Sequence, residues 1–197
     1  NLMARIGRSP SRDGAVWTYK AEAEEFIDVI ENVLRPLVAS QLLETGGLLV
    51  HSSGIVVDGR CFLFVGHSGA GKSTIASMAH DLGHKVLSDD LNVLFDAGDG
   101  WKSRSLPFAG SHPSDVDDSW FPVAGIVRLR QSPEHRIEPT SAANAFSLLF
   151  SAAPFVNTDP CLSEVLESTV LRIVNSLPHW SLSFRKDAGV WDILESL

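Results

Sequence analysis

The sequence predicts one α/β domain, and three observations support this prediction. The chain has 197 residues, which suffices for one compact domain with a hydrophobic core and is too short for two ordinary domains. Hydrophobic residues make up 44% of the chain and charged residues 20%, which excludes disordered and collagen-like proteins. Strand-like apolar segments alternate with segments of helical periodicity, and no repeat or linker marks a domain boundary. We therefore expect a single domain over residues 1–197.

The first elements of this domain are a helix and a β-hairpin. Residues 21–34 have apolar side chains at helical spacing. Pro36 should end or kink this helix, which then continues over 37–43. The Asp58-Gly59 pair between two apolar runs is a hairpin-turn signal. The predicted strands of the whole chain are 16–19, 48–50, 54–57, 60–65, 85–88, 91–95, 123–129 and 180–184.

Four further helical segments follow the hairpin, and residues 103–118 between them are predicted to be a loop. Gly83 is expected to close the first of these helices, and Thr140 or Ser141 to cap the second. Trp180 and Trp191 lie in apolar patterns and are expected in the core. The helical segments are 74–82, 142–152, 162–177 and a closing turn over 190–197.

The charge balance restricts the classes of partner. Lys and Arg number 16 against 24 Asp and Glu, so that the formal net charge is −8. A protein that binds nucleic acid or an acidic membrane is expected to be basic, so we expect neither partner. The apolar runs are far shorter than the roughly 20 residues that cross a bilayer. Any bound anion must therefore meet a local concentration of positive charge.

The cysteines and the chain start indicate the cellular compartment. Cys61 begins an apolar strand, where a reduced and buried thiol is the ordinary interpretation, and Cys161 is its only possible partner. The N-terminal residues lack the apolar stretch of a secretory signal, so we expect a cytoplasmic protein. Because the first residue is Asn1 rather than Met, we expect a trimmed chain that lacks native N-terminal sequence.

Residues 66–73, GHSGAGKS, match the phosphate-binding Walker A pattern. Its glycines let backbone N–H groups surround phosphate oxygens, and the helix that follows adds its positive N-terminal end. Lys72 supplies a full charge to the β- and γ-phosphates of a nucleotide, and the Ser73 hydroxyl can ligate Mg²⁺. The apolar strand before the loop and the helix after it are the context that this motif requires. The predicted phosphate-binding residues are Gly66, Ser68, Gly69, Ala70, Gly71, Lys72, Ser73 and Thr74.

Asp89 and Asp90 follow the next apolar segment. Two adjacent carboxylates are costly to bury without cations. A strand parallel to 60–65 and beside it would place both at the edge of the sheet where the γ-phosphate and a metal ion bind. One carboxylate could hold magnesium, directly or through water, and the other could accept the proton of an attacking hydroxyl. The alternative is a solvated turn.

Three further side chains are candidates for this site. If the strands on either side of Asp58 pair, His51 falls near the same edge and could relay a proton or contact substrate; a structural histidine is an equal alternative. Arg128 and Arg130 alternate with apolar residues along a predicted strand. They could reach transferred phosphate, although a solvated strand face is the favoured interpretation.

Several of these segments together resemble the catalytic domain of HPr kinase/phosphorylase, a family that shares its nucleotide-binding core with phosphoenolpyruvate carboxykinase. The specific part of the resemblance covers residues 48–95. Its later parts resemble the broader group of HPr kinase-related proteins. The segments that carry it are HSSGIVVDGR (51–60), the phosphate loop (66–73), GHKVLSDD (83–90), PFAG (107–110) and WDIL (191–194).

The resemblance implies a P-loop kinase fold of the HPr kinase type, with a mixed β-sheet flanked by helices. It implies that Asp89 acts as general base on a serine hydroxyl and that Asp90 and Ser73 serve the magnesium ion. It further implies that Lys72 binds the phosphates and that His51 lies beside the reacting centre. We therefore expect Asp89, His51 and Lys72 to be the catalytic residues.

The expected activity is an ATP- and Mg²⁺-dependent transfer of the γ-phosphoryl group to a hydroxyl. The favoured acceptor is a serine of a peptide or protein, for example a natural-product precursor peptide. The alternatives are a nucleotide-binding regulatory protein with little transfer activity and a small-molecule kinase. The resembled enzymes also suggest a homo-oligomer.

Overall fold

The computed structural model describes residues 2–6, 14–18, 23–108, 118–195 and 197. Within these residues the chain forms ten strands and five helices. The strands are β1 (Leu2–Ile6), β2 (Gly14–Thr18), β3 (Leu48–Val57), β4 (Arg60–Val65), β5 (Lys85–Ser88), β6 (Leu91–Asp96), β7 (Trp101–Ser103), β8 (Phe121–Gln131), β9 (Arg136–Pro139) and β10 (His179–Phe184). The helices are α1 (Ala23–Glu44), α2 (Lys72–Asp81), α3 (Ala142–Ser151), α4 (Ser163–Ser176) and α5 (Gly189–Glu195).

A mixed sheet of eight strands is the central element of the described chain. Its strand order is β4-β3-β6-β7-β8-β10-β9, with β5 paired to β3 and an additional pairing of β4 with β8. β3 runs antiparallel to β4, β5 and β6, whereas β8 runs parallel to β4 and to β10. β1 and β2 form a separate antiparallel pair.

Helices pack on both faces of the sheet, because side chains along each strand alternate between two hydrophobic clusters. Along β4, Cys61, Leu63 and Val65 belong to the cluster that contains residues of α1, α3 and α4. Phe62 and Phe64 belong to the cluster that contains residues of α2 and α5. All five side chains are fully buried. The predicted α/β fold with a mixed sheet flanked by helices is confirmed.

Three predictions that rest on local backbone geometry are confirmed: the hairpin turn, the end of α2 and the cap of α3. Asp58 and Gly59 both have positive φ, 49° and 75°, as the tight hairpin between β3 and β4 requires. Gly83 closes α2 with a φ of 83°. Ser141, one of the two predicted caps, accepts a hydrogen bond from the backbone N–H of Asn144 at the start of α3.

The predicted core positions of cysteine and tryptophan are also confirmed. Cys61 is a buried free thiol, and burial raises its pKa to about 12. Trp191 is buried in the cluster with α2, and Trp180 packs against the same cluster.

The prediction of two short strands at 48–50 and 54–57 is wrong, because β3 is continuous from Leu48 to Val57. Ser52 and Ser53 interrupt the apolar pattern, yet both are fully buried. Their hydroxyls are satisfied by hydrogen bonds, since Asn92 donates to Ser52 Oγ and Ser53 donates to the carbonyl of Lys72. Satisfied hydroxyls can be buried within a strand.

Other elements also differ from the expectation, and β1 and β7 were not predicted. α1 is one helix from Ala23 to Glu44 with Pro36 inside it. β9 was not predicted, because Arg136–Pro139 contains a single strongly apolar residue, Ile137, and pairs as an outer strand with β10.

The expected position of the strand that precedes the paired aspartates is partly wrong. β5 runs in the same direction as β4, since both are antiparallel to β3, but β3 lies between them. The carboxyl ends of β4 and β5 therefore lie on either side of the middle of β3, opposite Ser52 and Gly54. This arrangement brings residues from three strands to the same place.

The predicted loop at 103–118 lies only partly within the described residues, because 109–117 are outside them, including the last two residues of the PFAG segment. Among the described residues, every helix is too short or too polar to traverse a bilayer.

Candidate functional site

The phosphate loop connects β4 to α2 at the carboxyl edge of the sheet, in the predicted order of strand, loop and helix. Gly69 and Gly71 adopt positive φ angles of 78° and 107°. These left-handed conformations turn the chain so that α2 begins at Lys72 with its N-terminus at the loop. Gln131, at the end of β8, donates a hydrogen bond to the carbonyl of Gly69 at 2.7 Å.

Lys72 lies under the loop rather than in solvent. Its side chain reaches the N-terminal end of the loop, where Nζ donates to the carbonyls of Gly66 at 3.0 Å and His67 at 3.4 Å. Lys72 is 8% exposed. Burial lowers the pKa of its ammonium group, and the charge of Asp90 opposes this shift.

The paired carboxylates are held by a tight turn after β5. Ser88 Oγ accepts hydrogen bonds from the backbone N–H groups of Asp90 at 3.1 Å and Leu91 at 3.2 Å. The N–H of Ser52 donates to the carbonyl of Asp90 at 3.0 Å. Asp89 is buried, with 5% of its surface exposed. The turn therefore fixes the direction of both side chains relative to β3.

The Asp90 carboxylate contacts two basic side chains, Arg35 and His51. Its Oδ1 lies 3.2 Å from Nδ1 of His51, and its Oδ2 lies 3.3 Å from Nη1 of Arg35. The hydrogen bond from His51 is the largest cause that lowers the pKa of Asp90; Arg35 and Lys72 add to the effect, while burial opposes it. The structure thus brings His51 to the edge of the sheet where the sequence predicted it.

Arg35 is a residue of this site that sequence reasoning did not find. It lies on α1 next to Pro36 and also pairs with Glu31 at 3.0 Å. No local motif indicates its role, since it is 55 positions from Asp90 in the sequence. Gln131 was missed for the same reason. The only signal for Arg35 was its place directly after the predicted helix over 21–34, which does not specify what lies beside that helix.

These residues surround a cavity of about 650 Å³. We call it the phosphate cavity. One end of it is formed by the loop and the start of α2, and the other by the carboxylates and His51. Its lining residues are His51, Ser68, Gly69, Gly71, Lys72, Ser73, Thr74, Asp89, Asp90 and Gln131.

The oxygen donors of the phosphate cavity fit a magnesium ion shared with a nucleotide. Ser73 offers a hydroxyl, and Asp89 and Asp90 offer carboxylates. Among the described residues, no cluster of three or more His, Cys, Asp or Glu could hold a metal alone. Magnesium is usually bound by one or two carboxylates together with substrate phosphates and water, so the donor set suits this ion when phosphate is present.

Two more cavities adjoin the phosphate loop. The larger, of about 1060 Å³, shares His51 and Ser68 with the phosphate cavity and is also lined by Arg128 and Arg130. The smaller, of about 310 Å³, lies at the other side of the loop and shares Gly71, Thr74 and Gln131 with the phosphate cavity. Arg128 and Arg130 therefore face a concave surface next to the loop. His67, within the loop, is exposed.

The chain matches a family model over residues 18–195; the family is described as "SynChlorMet cassette protein ScmC". No curated protein sequence matches the chain. Among solved structures, the HPr(Ser) kinase/phosphatase from Coxiella burnetii aligns with 76% of this chain and 87% of its own, at 14% sequence identity and a TM-score of 0.45.

Proposed function

This chain belongs to the SynChlorMet cassette protein ScmC family, and we propose that it is a kinase that transfers the γ-phosphoryl group of ATP to a serine hydroxyl of a peptide or protein. One observation carries the proposal. The phosphate loop, its lysine and the two carboxylates line a single cavity. Phosphoryl transfer needs this combination, because catalysis consists mainly of positioning and charge stabilisation.

The loop end of the phosphate cavity would hold the nucleotide phosphates. Backbone N–H groups of the loop and the N-terminus of α2 supply partial positive charge. Lys72 supplies a full charge, and the polyanion would replace the loop carbonyls that its Nζ now contacts. A phosphate beside this lysine favours its charged form, which counteracts the effect of burial.

Lys72 also indicates the direction of the bound nucleotide. The lysine of this motif reaches the β- and γ-phosphates, and here its Nζ lies beside Gly66 and His67. The γ-phosphate would therefore lie at the N-terminal end of the loop, near the carboxylates. The nucleoside would extend toward the small cavity that Thr74 and Gln131 line.

The magnesium ion would be held by Ser73 and Asp90 together with phosphate oxygens. When bound, it neutralises charge on the β- and γ-phosphoryl oxygens. Arg35 pairs with the Asp90 carboxylate and His51 hydrogen-bonds to it, and both contacts favour its ionised form. These two residues would therefore position a metal ligand without contacting the nucleotide themselves.

Asp89 would act as the general base. As the serine Oγ forms its bond to the γ-phosphorus, the bond from this phosphorus to the β,γ-bridging oxygen breaks, and its electron pair leaves with ADP. The serine proton passes to the Asp89 carboxylate. Asp89 is suited to this role because it is buried yet lines the phosphate cavity, so that its oxygen is shielded from bulk water.

The test is phosphorylation of a serine-centred peptide library with ATP and Mg²⁺, followed by mass spectrometry. The description of the family as cassette proteins makes short peptides encoded beside this gene the first acceptors to add. Wild-type protein should form phosphoserine. Asp89→Asn should reduce the transfer rate by at least about 100-fold, the ordinary contribution of a general base, while nucleotide affinity stays largely unchanged.

The matched control is Asp81→Asn, since Asp81 is an exposed carboxylate at the opposite end of α2. This variant should keep full activity. An active Asp89→Asn enzyme would refute the base assignment. If the wild-type protein binds ATP but phosphorylates no peptide, the kinase proposal is wrong and a nucleotide-binding regulator is favoured instead. If labelled phosphate enters only metabolites, the protein is a small-molecule kinase.

A further inference from the structure

The larger cavity beside the phosphate loop is positioned to receive the phosphoryl acceptor. It meets the phosphate cavity at His51 and Ser68, which lie at the N-terminal end of the loop. Val65, Gly66 and His67 also line it. Because Lys72 points to the same end of the loop, this cavity opens at the γ-phosphate rather than at the nucleoside. We call it the acceptor cleft.

Two strands and a helix form the walls of the acceptor cleft. β8 runs parallel to β4 with Arg128 level with Val65, the last residue before the loop. Arg128 and Arg130 lie on the same face of β8 as Ile126, and Ile126 belongs to the cluster that contains residues of α3. α3 and the segment after it supply the opposite wall, including Asn144, Ser151 and Asn157.

The charge of this cleft is opposite to the charge of the whole chain. Arg128, Arg130, His51 and His67 line it, whereas none of its described lining residues is Asp or Glu. The chain as a whole carries a formal net charge of −8. Neither arginine forms an ion pair with any described residue. Two arginines that pair with no carboxylate in the described part of the chain, placed beside a phosphate loop, create a positive field that attracts an anionic ligand.

The size and polarity of the cleft suit a peptide segment. Its volume is about 1060 Å³, at the upper end of the roughly 300–1,000 Å³ of small-molecule sites. Side-chain amides and hydroxyls of α3 and its following segment can bond to peptide groups. Phe155 is 43% exposed at the cleft and has a φ of 70°, an unfavourable conformation for an aromatic residue that is typical of functional sites.

We propose that the acceptor cleft binds an acidic peptide segment that contains the acceptor serine, with Arg128 and Arg130 pairing with carboxylates that flank this serine. The proposal rests on the kinase function proposed above and specifies its substrate class. Arginine is suited to this role, since its planar guanidinium binds carboxylates in a bidentate manner. Pairing in this way places the serine Oγ at the open end of the phosphate cavity.

The test compares three peptides that differ only in the residues flanking one serine, which are Asp, Ala or Lys. With ATP and Mg²⁺, the wild-type protein should phosphorylate the Asp peptide with a kcat/KM about tenfold or more above that of the Ala peptide, and the Lys peptide should be poorest. The preference should shrink at high salt, because charge pairs in an open cleft are screened.

The variant Arg128→Gln/Arg130→Gln should lose this preference through a higher KM for the Asp peptide, with the KM for ATP unchanged. Arg128→Glu/Arg130→Glu should reverse the preference toward the Lys peptide. Arg136→Gln is the matched control, because Arg136 is a highly exposed arginine on β9, outside the cleft. It should behave as wild type.

Binding of the fluorescein-labelled Asp peptide, measured by anisotropy, separates this proposal from the kinase proposal. Equal kcat/KM values for the three peptides, or Asp-peptide binding unaffected by the double Gln variant, would overturn the acceptor cleft. If the wild type binds the Asp peptide but transfers no phosphoryl group, and the double Gln variant does not bind the peptide, the acceptor cleft is supported and the kinase function is contradicted.

Discussion

At the scale of single residues, Asp90 connects three elements of the site, α1, β3 and β5. Its carboxylate pairs with Arg35 of α1 and His51 of β3. Its backbone is held by Ser52 of β3 and by the hydroxyl of Ser88 at the end of β5. The hydrogen bond from His51 is the first cause that holds the pKa of Asp90 below its ordinary value, and the charges of Arg35 and Lys72 add to it, while burial opposes it.

Asp90 should therefore make folding stability depend on pH in the acidic range. A depressed pKa in the folded state adds stability above the unfolded value of about 4, and this stability is lost as pH falls through the folded-state pKa. The measurement is the free energy of unfolding in urea from pH 7 to pH 3 for the wild type and Asp90→Asn.

The wild type should be the more stable protein at pH 7, and this difference should decrease as pH falls below about 4. Asp96, Asp99 and Asp187 also have lowered pKa values, but they are present in both proteins and cancel in the difference. A difference that stays constant with pH would show that Asp90 makes no such contribution.

At the scale of elements, the loop and α2 depend on two glycines with left-handed backbone. Gly69 has open space around the position of a side chain, whereas a Cβ on Gly71 would lie 2.7 Å from Cζ of Phe184. Phe184 is 3% exposed in the cluster between the sheet and α2. Gly71 thus permits both the turn of the loop and the close packing of β10 beneath it.

Gly71→Ala should destabilise the protein by about 2–5 kcal/mol, from roughly 1–2 kcal/mol of left-handed backbone strain and roughly 1–3 kcal/mol of overpacking against Phe184. Gly83→Ala is the control, because Gly83 has a φ of 83° but nothing within 4 Å of its Cβ position. In urea unfolding, the free energy of unfolding of this control should fall only by the contribution of left-handed backbone strain. Equal losses in both variants would contradict the packing argument.

At the scale of the whole molecule, the mixed sheet collects residues that are distant in sequence. β4 and β5 end beside the middle of β3, and Arg128 of β8 lies level with the end of β4. His51, the phosphate loop, the paired aspartates and the two arginines of the acceptor cleft therefore share one edge. A ligand that bridges the loop and the carboxylates would connect elements from the whole sheet.

ATP with Mg²⁺ should accordingly stabilise the entire fold. At a free concentration of 100 times Kd the stabilisation is about 2.7 kcal/mol, which corresponds to a rise in Tm of about 5–11 °C for a domain of this size. Differential scanning fluorimetry measures this shift. Lys72→Met should reduce it strongly, and an unchanged wild-type Tm at millimolar ATP and Mg²⁺ would argue against the nucleotide site.

The features that could be predicted from sequence are those determined within a few residues. The Asp58-Gly59 turn, the glycines of the loop and the Ser141 cap each require a particular backbone conformation, which restricts the residues that can occupy them. The phosphate loop was found for this reason. The continuous β3 could not be predicted because it contains two buried serines, Ser52 and Ser53. Their hydroxyls are satisfied by hydrogen bonds to Asn92 and to the Lys72 carbonyl, and these partners lie elsewhere in the sequence.

The sequence by itself determined the α/β class, the phosphate loop and the pair of carboxylates behind it, since each follows from local periodicity or local backbone geometry. Only the tertiary structure decided that β3 separates β4 from β5, that Arg35 and His51 contact the Asp90 carboxylate, and that Arg128 and Arg130 face a cleft. The physical reason is that strand order and the partners of charged side chains depend on packing between distant segments, and no local pattern encodes that packing.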